Sequence, residues 1–156
     1  MVVVAALMRS GHRVLRLWWR VRKPSTYGVK VLVLHPQHPG RCLVVRHSYV
    51  DQQWWGLPGG GYKPHKETAE AAAVREVFEE LSLPISKTTV LETLTTNREG
   101  KVDSLTILTA EAESEEFKLS AELAEARWVS TDLADLPADA SISQWLQRAL
   151  AASRRG

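Results

Sequence analysis

Glu76, Glu79 and Glu80 stand at positions i, i+3 and i+4 of one run, shortly after Gly59-Gly60-Gly61. At about 100° per residue, a helix gathers these three carboxylates on one face. Like charges so placed repel, and a surface helix usually relieves them with Lys or Arg four residues on. Here those positions hold Glu80, Leu83 and Pro84, while Arg75 precedes Glu79 by four residues, in the less favourable order. A divalent cation would relieve the repulsion, and hard oxygen ligands suit Mg²⁺ or Mn²⁺ better than Zn²⁺. Such an ion binds diphosphates, neutralises charge and activates water. Gly60 and Gly61 leave space for a phosphate, and the loop could add a backbone carbonyl ligand. The alternative is a solvated acidic face.

The chemistry needs a helix, a loop and strands to hold them. Thr68 is a plausible N-cap for a helix over 68–81, rich in alanine at 71–73. Val74, Val77, Phe78 and Leu81 share one face and are expected to meet the core, opposite the glutamates. Ser82 and Pro84 stop the helix. Strands are expected over 29–34 and 41–46, pairing as a hairpin around the turn 35–40, then over 88–95, 102–110 and 126–129. Trp54 to Leu57 is short and extended; Trp55 alternates in phase with Leu57, which marks it as core. Residues 97–100 read as a hairpin turn. Phe117 to Leu119 is a candidate extended piece. Ser130-Thr131-Asp132 reads as the cap of a short helix, and a terminal helix is expected over 142–151. Strands and helices mix without a regular βαβ alternation, which argues for α+β.

A chain of 156 residues can bury a substantial core as one domain. Its net charge of +2 conceals a segregation: the first acid is Asp51, after nine Lys or Arg residues. That basic third could attract phosphate, nucleic acid or anionic lipid. The plainer reading, which we prefer, is that acids gather at the site and in later helices. Residues 7–22 read as a basic amphipathic helix, with Val14, Leu17, Trp18 and Val21 opposite Arg9, Arg13, Arg16 and Arg20. Packing against the domain or a partner subunit is preferred over a membrane-surface role. No apolar run near the start reaches the ~20 residues of a span. An Arg-rich, acid-free start also has the character of an organellar transit peptide. The single cysteine, Cys42, lies in an apolar run and reads as a buried thiol; a cytoplasmic setting is expected. His35 and His38 read as turn residues, since no nearby acid or cysteine completes a ligand set.

The run Gly61 to Leu83 resembles the box of the Nudix family. Gly61 is followed at the right interval by Glu67, and then Arg75, Glu76, Val77, Glu79, Glu80 and Leu83 match in place. Ser82 stands where the family has glycine, at a helix end where a left-handed conformation favours glycine. The preceding Trp55-Gly56-Leu57-Pro58-Gly59-Gly60 also looks like the family's lead-in. The box covers 23 of 156 residues.

The resemblance implies an α/β/α sandwich with a mixed central sheet. It implies hydrolysis of a nucleoside diphosphate linked to another moiety, with Mg²⁺ or Mn²⁺. Glu76, Glu79 and Glu80 match the metal-binding glutamates, with Gly61 as the loop ligand. One of them, or a later carboxylate, would be the base; Glu122, in an acidic loop before the strand at 126–129, is the candidate. Arg75 and Glu67 look like residues that brace loop and helix by ion pairing. The expected divisions are a basic N-terminal helix over 1–24, a core over 25–137 and a C-terminal helix over 138–156.

Substrate selection lies outside the box. Tyr49 and Trp54 could stack on a base, and Arg46 or His47 could meet phosphate. The downstream sequence shows no family marker for ADP-ribose, NADH, dinucleoside polyphosphate or coenzyme A. A nucleotide-type small molecule is the expected partner, with no specific nucleic acid, and a homodimer is the assembly considered. A domain that binds a nucleotide without cleaving it is the competing reading; the intact Glu76, Glu79 and Glu80 favour the enzyme.

Overall fold

A computed structural model describes residues 25–48, 54–98 and 101–156. The expected N-terminal helix and Tyr49 lie outside these residues, as do positions 99–100 of the hairpin turn. The chain runs β1 (Thr26–Leu34), β2 (Arg41–His47), β3 (Trp54–Trp55), β4 (Gly59–Gly61), α1 (Ala69–Leu81), β5 (Ile85–Arg98), β6 (Lys101–Ala112), β7 (Leu123–Ser130), β8 (Ser141–Ile142) and α2 (Gln144–Ser153).

The main sheet has the order β5-β6-β1-β2-β7, with β4 also paired to β1. β1 runs parallel to β6 from Thr26↔Asp103 to Leu34↔Glu111 and antiparallel to its other neighbours, so the sheet is mixed. The expected hairpin between β1 and β2 closes at Leu34↔Cys42. Below that pair the strands part, and the glycine segment enters between them. Gly28, Val29 and Lys30 of β1 face Gly61, Gly60 and Gly59. On the other side Gly56 bridges Val45 of β2. A bulky residue would not fit this wedge: a Cβ on Gly59 would lie 2.0 Å from Val29 O, and its φ of +153° favours glycine.

Alternation along β1 and β2 divides the core. Val29, Val31, Val33, Leu43 and Val45 pack with α1. Leu32, Cys42 and Val44 pack with Trp55, Leu57 and the Leu146, Ala149 and Leu150 face of α2. The result is an α/β/α sandwich, as expected. Burial pushes the Cys42 thiol up to about 11.

Several local expectations need correction. Val74 and Phe78 are 40% and 55% exposed, and Ala72, Ala73, Val77 and Leu81 meet the sheet instead. Small alanines let the helix approach closely, and the rotation turns Glu80, 2% exposed, toward the glycines. The 130–136 segment is turns rather than a helix; Asp132 Oδ1 accepts from Ala134 N–H, and Asp135 accepts from Ser130 N–H. Residues 117–119 form no strand. The last helix begins at Gln144, because Ser143 Oγ caps Trp145 N–H and Ile142 pairs with Trp55 in β8. His35 is a buried turn residue whose Nδ1 accepts from the N–H groups of Gln37 and His38.

Candidate active site

Local chemistry sets the ends of α1. Thr68 Oγ1 accepts from Ala71 N–H at 3.1 Å, satisfying one of the open donors of the first turn. At the other end Ser82 adopts φ 50°, ψ 31°, the left-handed cap that glycine would adopt without strain. The carbonyls of Glu80 and Leu81 accept from Ser120 N–H and Lys118 N–H, both at 2.8 Å. Those bonds fasten the acidic 113–122 loop to the end of the helix and carry Glu122 to the same cleft as the box glutamates. Ser48 N–H donates to Glu122 O from the opposite side.

The cleft has a volume of about 510 Å³. Its floor is Gly59, Gly60 and Gly61; Glu76, Glu79, Glu80 and Glu122 line its walls. Glu76 lies on Gly60, where an added Cβ would come within 2.4 Å of the carboxylate carbon. Glu80 Oε1 accepts from Gly59 N–H at 3.1 Å, whereas its buried Oε2 has no hydrogen-bond partner among the described residues. Glu79 is the most exposed of the three, at 57% for the side chain.

Arg75 joins this wall to its loop. Its Nη2 donates to Glu67 Oε1 at 2.6 Å and to Gly61 O at 3.2 Å, and its Nη1 donates to Glu76 at 2.9 Å and Glu79 at 3.3 Å. The Arg75 bond holds Glu67 below the usual carboxylate range, and Glu67 in turn raises the guanidinium. Burial pushes Glu76 upward, against the pull of Arg75 and with the push of Glu79 and Glu122. Burial raises Glu80 further, to about 7, although Gly59 N–H and Lys30 oppose it.

Among the described residues, no three His, Cys, Asp or Glu side chains already converge as a cage for a metal ion. Arg75 engages Glu76, Glu79 and the Gly61 carbonyl together. The donor chemistry nonetheless suits a hard divalent cation. The side-chain donors are all carboxylates, and one buried oxygen, Glu80 Oε2, has no hydrogen-bond partner among the described residues.

Other expected site residues fall elsewhere. Arg46 does not line this cleft: it pairs with Glu125 at 2.6 Å and lies over Trp55 at 5.3 Å. Trp54 lines a second, smaller cavity of about 270 Å³ with Trp145, Gln144 and Leu57. Lys30 and His47 line both cavities. Lys30 carries no motif signal: it interrupts the apolar run of β1, and only the pairing with Gly59 brings it to the cleft. No helix among the described residues is long and apolar enough to cross a membrane.

A glycine bed under a carboxylate-bearing helix, inside a mixed sheet flanked by two helices, defines a class of fold and site. Residues 24–149 match the NUDIX domain, and the chain belongs to the Nudix family. It is 36% identical over 122 residues to a Mycobacterium tuberculosis protein named "Putative 8-oxo-dGTP diphosphatase 3". That match takes in 71% of this chain and 56% of the relative, so the chain spans a little over half the length of the curated relatives it matches. Two solved structures share the fold. The MutT NUDIX hydrolase from Burkholderia pseudomallei superposes with a TM-score of 0.65 at 22% identity, covering 83% of this chain and 98% of that one. The NUDIX domain of Shewanella oneidensis NrtR, complexed with ADP ribose, gives 0.64 at 19% identity, covering 86% and 90%.

Proposed function

We propose that the chain is a pyrophosphohydrolase that uses Mg²⁺ or Mn²⁺ to break a phosphoanhydride bond in a nucleoside diphosphate linked to another moiety. The observation that carries this reading is the buried Glu80 Oε2, without a hydrogen-bond partner among the described residues, beside Glu76 on the glycine bed. A solvated acidic face would not hold a carboxylate 2% exposed with one oxygen unsatisfied. Glu76, Glu79 and Glu80, with the Gly61 carbonyl, would hold the cation. When bound, it neutralises charge on the diphosphate and lowers the pKa of water.

The chain's own groups supply the rest. Gly59 to Gly61 let phosphate oxygens approach the backbone without a side chain between. Glu122, which lines the same cleft, would take the proton of the attacking water. Water oxygen bonds to phosphorus, the bridging P–O bond breaks, and the leaving phosphoryl oxygen departs with the electron pair. Arg75 and Glu67 keep the glutamates over the floor.

The relative's name makes 8-oxo-dGTP the first substrate to try, followed by other nucleoside triphosphates, nucleotide sugars, ADP-ribose and dinucleotides. Each would be incubated with Mg²⁺ or Mn²⁺ and its products identified. Hydrolysis is expected, with Glu79→Gln and Glu80→Gln each losing about 100-fold or more. Turnover of no substrate by the wild type, or full activity in both variants, would overturn the reading. Tight nucleotide binding without cleavage would replace it with a binding domain.

A further inference from the structure

Four of the five large apolar side chains exposed among the described residues lie on α1 or around it. Val74 and Phe78 stand one turn apart on the outer side of the helix. Val90 faces Leu108 across β5 and β6, which puts it on the α1 side of the sheet. Leu119 sits between Lys118 and Ser120, whose N–H groups bond to the last turn of α1. Acids accompany this face. Glu70 is one turn before Val74, Glu79 follows Phe78, and Glu113, Glu115 and Glu116 lie in the loop fastened to the helix end. α1 carries one base, Arg75, which already meets Glu67, Glu76 and Glu79.

Residues 1–24, outside the described residues, hold six Lys or Arg and no acid. Within them 7–22 reads as a helix with Val14, Leu17, Trp18 and Val21 on one side and Arg9, Arg13, Arg16 and Arg20 on the other. An apolar stripe flanked by bases complements an apolar stripe flanked by acids. The reach also fits. The described chain begins at Ser25, and Tyr62 N–H bonds to Tyr27 O just before the loop that leads into α1. From there α1 runs toward Ile85, which pairs with Ala112 beside the far end of β1 at Leu34↔Glu111. A helix over 7–22 would span about 24 Å, and the 13 residues of α1 span about 20 Å.

We propose that residues 7–22 dock as an amphipathic helix along the outer face of α1. Val14, Leu17, Trp18 and Val21 cover Val74 and Phe78, and the long arginine stems reach the acids at the rim. Glu76 and Glu80 point the other way, to the glycine bed. The contact goes beyond the hydrolase reading and does not depend on it.

Hydrogen–deuterium exchange of the full chain, followed by mass spectrometry on peptides from 7–22, tests this. In the wild type those amides should be protected, to the same degree at every protein concentration. Phe78→Lys sets a like charge against the arginines at a side chain already exposed. It should speed exchange in 7–22 by about tenfold and leave the amides of β1 and β6 unchanged. Phe78→Leu should keep the protection. Should Phe78→Lys fail to fold, Val74→Lys takes its place. Exchange of 7–22 at the rate of an unstructured chain in the wild type would overturn the proposal, as would protection that the lysine leaves intact. Protection that rises with concentration would assign the face to a second copy of the chain. Protection that appears only with phosphatidylglycerol vesicles would assign the segment to a membrane surface. Either result defeats the proposal.

Discussion

Glu80 and Gly59 are joined by a hydrogen bond of 3.1 Å from the Gly59 N–H to Glu80 Oε1, which ties the last turn of α1 to the tightest point of the glycine wedge. The bond favours the carboxylate, but burial outweighs it and leaves Glu80 raised from 4.5 to about 7. A carboxyl raised on folding binds its proton more tightly in the folded state. Between about pH 4.5 and 7 the folded protein therefore holds more protons than the unfolded chain, and stability falls as pH rises through that window.

The first prediction compares wild type with Glu80→Gln in EDTA, by urea denaturation from pH 4.5 to 8. Relative to the variant, the wild type should lose about 3 kcal/mol across the window. Saturating Mn²⁺ should remove most of that loss, because the ion meets the carboxylate charge. Parallel stability curves for the two proteins would show that Glu80 does not titrate in this range.

Neighbouring glycines should fail in different ways. A Cβ on Gly59 meets backbone, Val29 O at 2.0 Å, whereas one on Gly60 meets the end of the Glu76 side chain. Gly59→Ala should cost about 3 kcal/mol or more of stability, because the strand itself must move. Gly60→Ala should cost about 1 kcal/mol yet reduce turnover roughly 100-fold by displacing Glu76. Denaturation and initial rates on the same preparations would check both, and a reversed order would contradict the packing described.

Ser82 offers a gain. Its φ of 50° and ψ of 31° are left-handed, a conformation that costs a residue with a Cβ about 1 kcal/mol. Ser82→Gly should raise stability by about that amount with turnover unchanged. A calorimetric scan and a rate assay suffice, and a lowered melting temperature would refute the strain.

Arg75 spans Glu67, Glu76, Glu79 and the Gly61 carbonyl, which calls for a planar fork. Its side chain is 37% exposed, so solvent screens part of the attraction. Arg75→Lys should therefore lose only about 1 kcal/mol but loosen the wall, weakening Mn²⁺ binding measured by electron paramagnetic resonance. Glu67, held below its ordinary range by Arg75, adds stability that is present above about pH 4.5 and is lost as acid protonates it. Glu67→Gln should flatten that acid limb.

Much of this was legible in the residues. The fixed intervals from Gly61 to Leu83 announced the box, Thr68 announced the helix start, and alternation placed Trp55 and Leu57 in the core. The helix face was misread because periodicity weighs Val74 and Phe78 above Ala72 and Ala73. Close helix–sheet packing prefers the small residues, and Glu80 had to turn inward to reach Gly59. Glu122 was reachable from its acidic loop, yet what holds it there is a pair of backbone bonds to the end of α1, which no side-chain pattern encodes.

By itself, then, the sequence determined the family, the donor types and the helix that carries them, because these depend on residue identity at fixed spacing along one local element. Tertiary structure decided which carboxylate is buried, why Arg46 turns away to Glu125, and how Lys30 comes to stand between the two cavities. Those outcomes depend on the register of β1 against the glycine segment, a contact between residues far apart in the chain.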